Sequence, residues 1–261
     1  MTHSITMRKG AKNTIQTILA VCFWLLLWQA ASLWVDSNLL LVSPLAVLQT
    51  LLTFLWTGAF WQTVFFSAAR MISGFLLALL AGVLLAGIGA HWQFVRILLR
   101  PLMLTVKSVP VASFIILALL WLKNAGNLAV FISFLMVLPI IYTNTLTGIL
   151  QTDKKLLEMA HVFRVPVLRR IRYLVLPAVF PPFKAACNVG LGLCWKSGVS
   201  AEVIGITTGS IGAALYNAKI FFSTAELFAW TVVIVLLSLL FEKLFLFLLD
   251  KAEVLLTEGG L

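Results

Sequence analysis

The chain has 261 residues, of which 62% are hydrophobic and only 11% charged, with a mean hydropathy of +1.07 and a formal net charge of +10. An ordinary soluble domain carries roughly 25% charged residues, so a water-soluble globule is excluded and an integral membrane protein is expected. The basic excess would suit a nucleic-acid partner, but in a membrane protein Lys and Arg report orientation, because they are retained on the cytoplasmic side.

A membrane-crossing helix needs about 20 mostly apolar residues. Runs of that kind predict six spans, near 15–35, 67–90, 103–122, 128–150, 183–206 and 226–249, in one all-α transmembrane domain over 1–261. The first follows Arg8, Lys9 and Lys12 as a signal peptide would, yet its apolar run outlasts the roughly 7–15 residues of a signal core. It is read as a retained span. After it, "SPLAVLQTLLTFLWTG" places Ser43 at an N-cap and Pro44 at the first helical position. Too short to cross, this stretch reads as a helix in the outer interface. The second span sets Gly74, Ala78, Gly82, Ala86 and Ala90 at every fourth position, and the fifth does the same with Ala186, Gly190, Cys194 and Gly198. Helices in lipid associate through close backbone approach, so both stripes are packing faces. Ahead of the last span, "TTGSIGAALYNAKIFFSTAE" reads as a loop or short helix near the outer mouth.

With the N-terminus inside, Arg96, Arg100 and Lys107, the dense run from Lys154 to Lys184, and then Lys243 and Lys251 all fall on the cytoplasmic side. Arg70, Lys123 and Lys219 fall toward the other. The bias predicts both termini in the cytoplasm and removes the need for a nucleic-acid partner. Cys22, Cys187 and Cys194 sit in apolar runs without metal-ligand spacing and are expected to be packing residues.

The segment 151–180, between the fourth and fifth spans, departs from this pattern. Thr152 or Asp153 can cap a helix in which Leu156, Met159, Ala160 and Phe163 recur at three- and four-residue spacing, and Pro166 is placed to begin a second helix. An apolar face outside the membrane needs a groove in a partner or in the same chain.

Within this segment Glu158, Met159 and Ala160, then Leu174, then Leu176 and Pro177 stand in the register of a cytoplasmic signature: Glu-Ala-Ala, three residues, Gly, nine residues, Ile, one residue, Leu-Pro. Here the chain resembles the permease subunits of bacterial ABC importers. With "SVPVASFIILALLWL", "LVLPAVFP" and "AEVIG", it looks most like their nitrate, sulfonate and taurine branch. The departures are Met159 at the first alanine and Arg164 at the glycine. If that glycine serves a left-handed turn, arginine costs on the order of 1 kcal/mol there, and the turn is expected to be reshaped or moved to Val165–Pro166.

The resemblance implies a type I importer (MetI-like) core with six transmembrane helices, paired as a permease homodimer in the bacterial inner membrane. It also implies an extracytoplasmic substrate-binding protein and a cytoplasmic ATP-binding subunit dimer that holds ATP and Mg. A short coupling helix over 153–163 would dock into the ATPase through Asp153, Leu156, Leu157, Glu158, Met159, Ala160, Phe163 and Arg164. The chain itself shows no G-x-x-x-x-G-K-[ST] phosphate loop, so no cofactor is expected on it and it is read as a transporter subunit rather than an enzyme.

Ionisable groups inside spans are costly and face protein or a watered cavity. Lys196 is therefore a candidate to line the path of an anionic solute, alongside Asn144, Asn188, Ser197 and Ser200; helix–helix hydrogen bonding or snorkelling is the plainer role for each. Glu202 reads as an interfacial or gate-loop contact. A membrane-embedded enzyme would need a matched acid–base pair or a motif such as H-E-x-x-H or G-x-S-x-G, and His3, His91 and His161 are scattered. An ion-gradient carrier would show internal repeats and broken helices near the midplane. No clear repeat is visible.

Overall fold

A computed structural model describes residues 3–35, 37, 39–122 and 125–258, and within them the regular structure is helical. In chain order the helices are α1 (His3–Val35), α2 (Pro44–Leu55), α3 (Gly58–His91), α4 (Gln93–Ser108), α5 (Val111–Trp121) and, after a 3₁₀ turn at Ala125–Asn127, α6 (Leu128–Leu150). Then come α7 (Lys154–Val162), α8 (Val167–Arg170), a π turn at Ile171–Val175, α9 (Leu176–Gly205), α10 (Ile211–Ile220) and α11 (Thr224–Glu258). Lys123 and the side chains of Arg8, Lys9 and Lys12 lie outside the described residues.

Among the described residues, five stretches are long and apolar enough to cross a membrane: Gln16–Val35, Gly58–His91, Leu128–Leu150, Val167–Gly205 and Thr224–Leu255. The third expected span, 103–122, is not one rod. It is divided between α4 and α5, which meet at 107° and pass the same test only as a broken pair. The cause is Pro110. It holds Val109 extended, at φ −81° and ψ 134°, so α4 ends on a Val109 N–H to Thr105 C=O bond of 3.1 Å. A new helix then starts from Pro110, whose missing N–H costs nothing at a helix start.

The fifth expected span begins earlier than read, because helix runs from Val167 through Pro177, Pro181 and Pro182. A proline ring clashes with the carbonyl four residues before it. For Pro177 that residue is Tyr173, the centre of the π turn, where the backbone is already widened.

Two compact units divide the chain. The first comprises residues 1–61 and 214–232. In it α2 starts as expected, with Ser43 Oγ accepting from the Ala46 N–H at 3.3 Å and Pro44 next to it. Val42, Val47 and Ala229 form a small buried core, and the Trp28 indole N–H donates to the Val42 carbonyl at 3.1 Å. Phe54, Phe60 and Trp230 gather with centroids 5.3 to 6.0 Å apart.

The second unit comprises residues 62–213 and 233–261. Its centre is α6, buried along most of its length and packed chiefly on α9. The small-residue stripes let the backbones meet. A Cβ on Gly74 would stand 2.7 Å from the Val130 carbonyl oxygen, one on Gly82 would stand 2.8 Å from Ile141 Cγ2, and one on Gly198 would overlap the Met71 sulfur. Phe75, fully buried, meets Phe245 edge-on at 5.0 Å. Cys187 and Cys194 are free and buried, and Cys22 is free and exposed.

Candidate functional site

At the C-terminal end of α6 the chain turns out of the packed pair and returns along α9. The two helices are held close there, since a Cβ on Gly148 would lie 2.8 Å from Val179 Cα. Helix α7 is the tip of this hairpin. Asp153 is its N-cap and accepts from the Lys155 N–H at 2.8 Å, while Thr152 is buried with its hydroxyl 3.5 Å from the Gly148 carbonyl. Ala160 faces the chain's own interior at 3% exposure and Leu157 is half-buried, whereas Leu156, Met159 and Phe163 are 42%, 50% and 75% exposed. Glu158 and Arg164 are exposed as well. So the apolar face of α7 splits: one small residue seats the helix and the large ones project outward.

The helix ends in a left-handed turn centred on Arg164 itself, at φ 51°. The Val165 N–H bonds to the Ala160 carbonyl at 2.9 Å and the Arg164 N–H to the His161 carbonyl at 3.0 Å. These are the paired bonds of a Schellman motif, in which glycine is usual. The expectation that the turn would shift to Val165–Pro166 is therefore corrected. Two hydrogen bonds that satisfy the terminal carbonyls offset a left-handed cost of roughly 1–2 kcal/mol, and Pro166 instead caps α8.

The five path candidates separate into two groups. Asn188, Lys196 and Ser200 are exposed on α9 and fall within about 120° of arc. Ser197, about 60° round the helix from Ser200, is buried and donates to the Leu193 carbonyl at 2.8 Å. Asn144 is half-buried and donates to the Ile140 carbonyl of its own helix at 2.9 Å. A polar face open on a membrane helix is costly against lipid, which distinguishes the first group.

Sequence reasoning missed a buried cluster near the far end of α9. Glu202 is fully buried, with Oε1 3.7 Å from Arg70 Nη1 of α3. Its Oε2 accepts from the Ser67 hydroxyl at 2.8 Å and from the Gly212 N–H at 3.2 Å, and Ser67 Oγ in turn accepts from the Ile211 N–H at 2.9 Å. The guanidinium of Arg70 also stacks 3.7 Å from the Phe66 ring. The carboxylate thus meets the start of α10, where free N–H groups favour negative charge. The signal was present: Arg70 and Glu202 are opposite charges in apolar runs, both placed toward the same side. Among the described residues no group of three or more His, Cys, Asp or Glu is placed to hold a metal.

The sequence profile of the family described as "Binding-protein-dependent transport system inner membrane component" matches residues 74–252. The permease protein SsuC of Escherichia coli, which carries the name of aliphatic sulfonates transport, is 30% identical over 199 residues, 76% of this chain and 75% of that one. The taurine transport system permease protein TauC of Escherichia coli is 24% identical over 247 residues, 93% of this chain and 86% of that one. A crystal structure of an amino acid ABC transporter superimposes with a TM-score of 0.57 at 16% identity, covering 76% of this chain and 94% of that one, and speaks to the fold alone. With the profile over most of its length and this helical core, the chain belongs to the family of binding-protein-dependent transport system inner membrane components, the permeases of ABC importers.

Proposed function

We propose that the chain forms half of the path for a small nutrient that bears an anionic group, of the sulfonate, taurine or nitrate class, and draws its energy from a separate ATPase gripped at α7. Family membership supports the transport role, and the names of the relatives suggest the solute class. One observation carries the coupling: Leu156, Met159 and Phe163 stand exposed on a short helix whose small side, Ala160, is seated in its own chain. Such a face fits a groove in a partner. Because α7 is the tip of the α6–α9 hairpin, a pull on it acts directly on the most extensively packed helix pair among the described residues.

The open polar face of α9 suits the path, with Lys196 supplying the positive charge, and a second copy of the chain would close the other side. The Lys and Arg bias supports a cytoplasmic position for α7 and both termini, and the recurrence of apolar spans along the chain supports one membrane domain. The solute would be delivered by a binding protein on the opposite face.

A photoreactive amino acid at position 163 in native membranes tests this reading. The expected crosslink is to a polypeptide that carries an ATP-binding phosphate loop, with Phe163→Asp abolishing ATP-dependent uptake while membrane insertion is unchanged. Crosslinks to lipid alone, together with normal uptake by Phe163→Asp, would overturn it.

A further inference from the structure

The first helix of the bent pair carries a second polar feature, apart from the open face of α9. Arg96, Arg100 and Lys107 lie on α4 within about 40° of arc and border a cavity of about 400 Å³ between α4 and α6, floored by Met103 and Leu104 and closed by Tyr142. Lys107 Nζ donates to Thr143 Oγ1 at 3.1 Å. The ion pairs Arg70–Glu202 and Lys184–Asp250 involve none of these three cations, and among the described residues none of the three has a carboxylate within 4.0 Å. Tyr142 is 3% exposed, yet its hydroxyl has no hydrogen-bond partner. A Cβ on Gly89 would lie 3.2 Å from that oxygen and 3.8 Å from Arg96 Cβ, which sets the phenol beside the arginine stem.

The geometry points to a binding site for the phosphodiester headgroup of an anionic phospholipid, held by Arg96, Arg100, Lys107 and the Tyr142 hydroxyl. Three positive charges and a buried, unused donor call for an anion with several acceptor oxygens, and guanidinium matches phosphate in a forked geometry. The apolar floor calls for an amphiphile rather than a small hydrated ion. Position on the helix favours a lipid over a transported solute. The cations stand between the face of α4 that packs inward, at Met103 and Val106, and the exposed apolar side chains of Ile97 and Leu104, which lie within about 100° of them around the helix. A headgroup in the cavity would therefore leave its acyl chains against side chains already suited to them, and basic pockets between membrane helices bind anionic headgroups in this way.

The test uses the purified full-length chain in neutral detergent, titrated with phosphatidylglycerol or phosphatidylcholine of matched acyl chains and scored by native mass spectrometry. Phosphatidylglycerol should be retained at least tenfold more. Arg100→Gln should lower its retention on the order of fivefold, the triple Arg96→Gln, Arg100→Gln, Lys107→Gln variant should remove the preference, and Lys243→Gln with Lys251→Gln should leave it intact. Equal retention of the two lipids overturns the proposal, as does a loss of less than twofold in Arg100→Gln, which decides the matter if the triple variant does not fold. So does displacement of the lipid by millimolar inorganic phosphate but not by chloride of the same ionic strength, which would mark a site for a free anion.

Discussion

The two ends of α9 treat polarity in opposite ways. Near Gly205, Glu202 is wholly inside and engaged by Ser67, Arg70 and the first N–H groups of α10. At the other end the chain leads back through exposed Arg169 and Leu168 to α7, where Phe163 and Met159 are 75% and 50% exposed among the described residues. Both regions place a non-glycine residue in the left-handed conformation, Ile206 at φ 46° and Arg164 at φ 51°. A buried, charge-paired cluster tied to three elements fixes one arrangement of helices. An uncovered apolar rod keeps its interactions for something else. The difference separates a fixed anchor from a handle.

The strongest way to break this contrast is to empty the anchor. Glu202→Ala strands Arg70 and two N–H-linked groups, and removing one partner of a buried pair costs roughly 3–5 kcal/mol. The detergent-solubilised protein should lose most of its folded fraction on size-exclusion chromatography after mild heating, with Glu202→Gln retaining more because it keeps an acceptor for Ser67 and Gly212. Equal behaviour of Glu202→Ala and wild type would show that the cluster anchors nothing.

Next in size is the core between the two ends. Gly198→Ala drives a methyl group into Met71 and Ser133, and overpacking costs about 1–3 kcal/mol. Gly87→Ala meets nothing within 4 Å and should be neutral or stabilising by about 0.4–1 kcal/mol. Thermal unfolding in a Cys22→Ser background, monitored by a thiol-reactive dye that reaches buried Cys187 and Cys194 only on unfolding, compares the pair, and a larger loss at Gly87 would contradict the packing.

The smallest effect sharpens the handle. Arg164→Gly relieves a left-handed arginine and should raise the unfolding midpoint by the equivalent of about 1 kcal/mol. A decrease would mean that the Arg164 side chain contributes more than its backbone conformation costs.

Much of this arrangement is legible in the sequence because lipid leaves few solutions: a long apolar run is a crossing helix, and a fourfold repeat of small residues is a contact. Ser43 and Asp153 announce their helix starts for the same local reason, a side-chain oxygen within reach of an orphan N–H. Tertiary facts were harder. The break at Val109–Pro110 was visible as a proline but masked by the apolar run around it. The pairing of Arg70 with Glu202 joins residues far apart in the chain, and only the folded backbone shows which polar residues of α9 face inward. Ser197 and Ser200 look alike in the sequence and lie only about 60° apart around the helix, yet one is buried and the other exposed.

The widened turn at Ile171–Val175 has a further effect. One surplus residue in a helical turn breaks the phase between the residues on its two sides. Arg169 and Arg170 are therefore free of the angular rule that Ala186, Gly190 and Gly198 obey, and the basic run and the packing stripe could each settle its own direction on one continuous rod. Excising a single residue from 171–175 would lock the two into a common phase and rotate the basic run by about 100°.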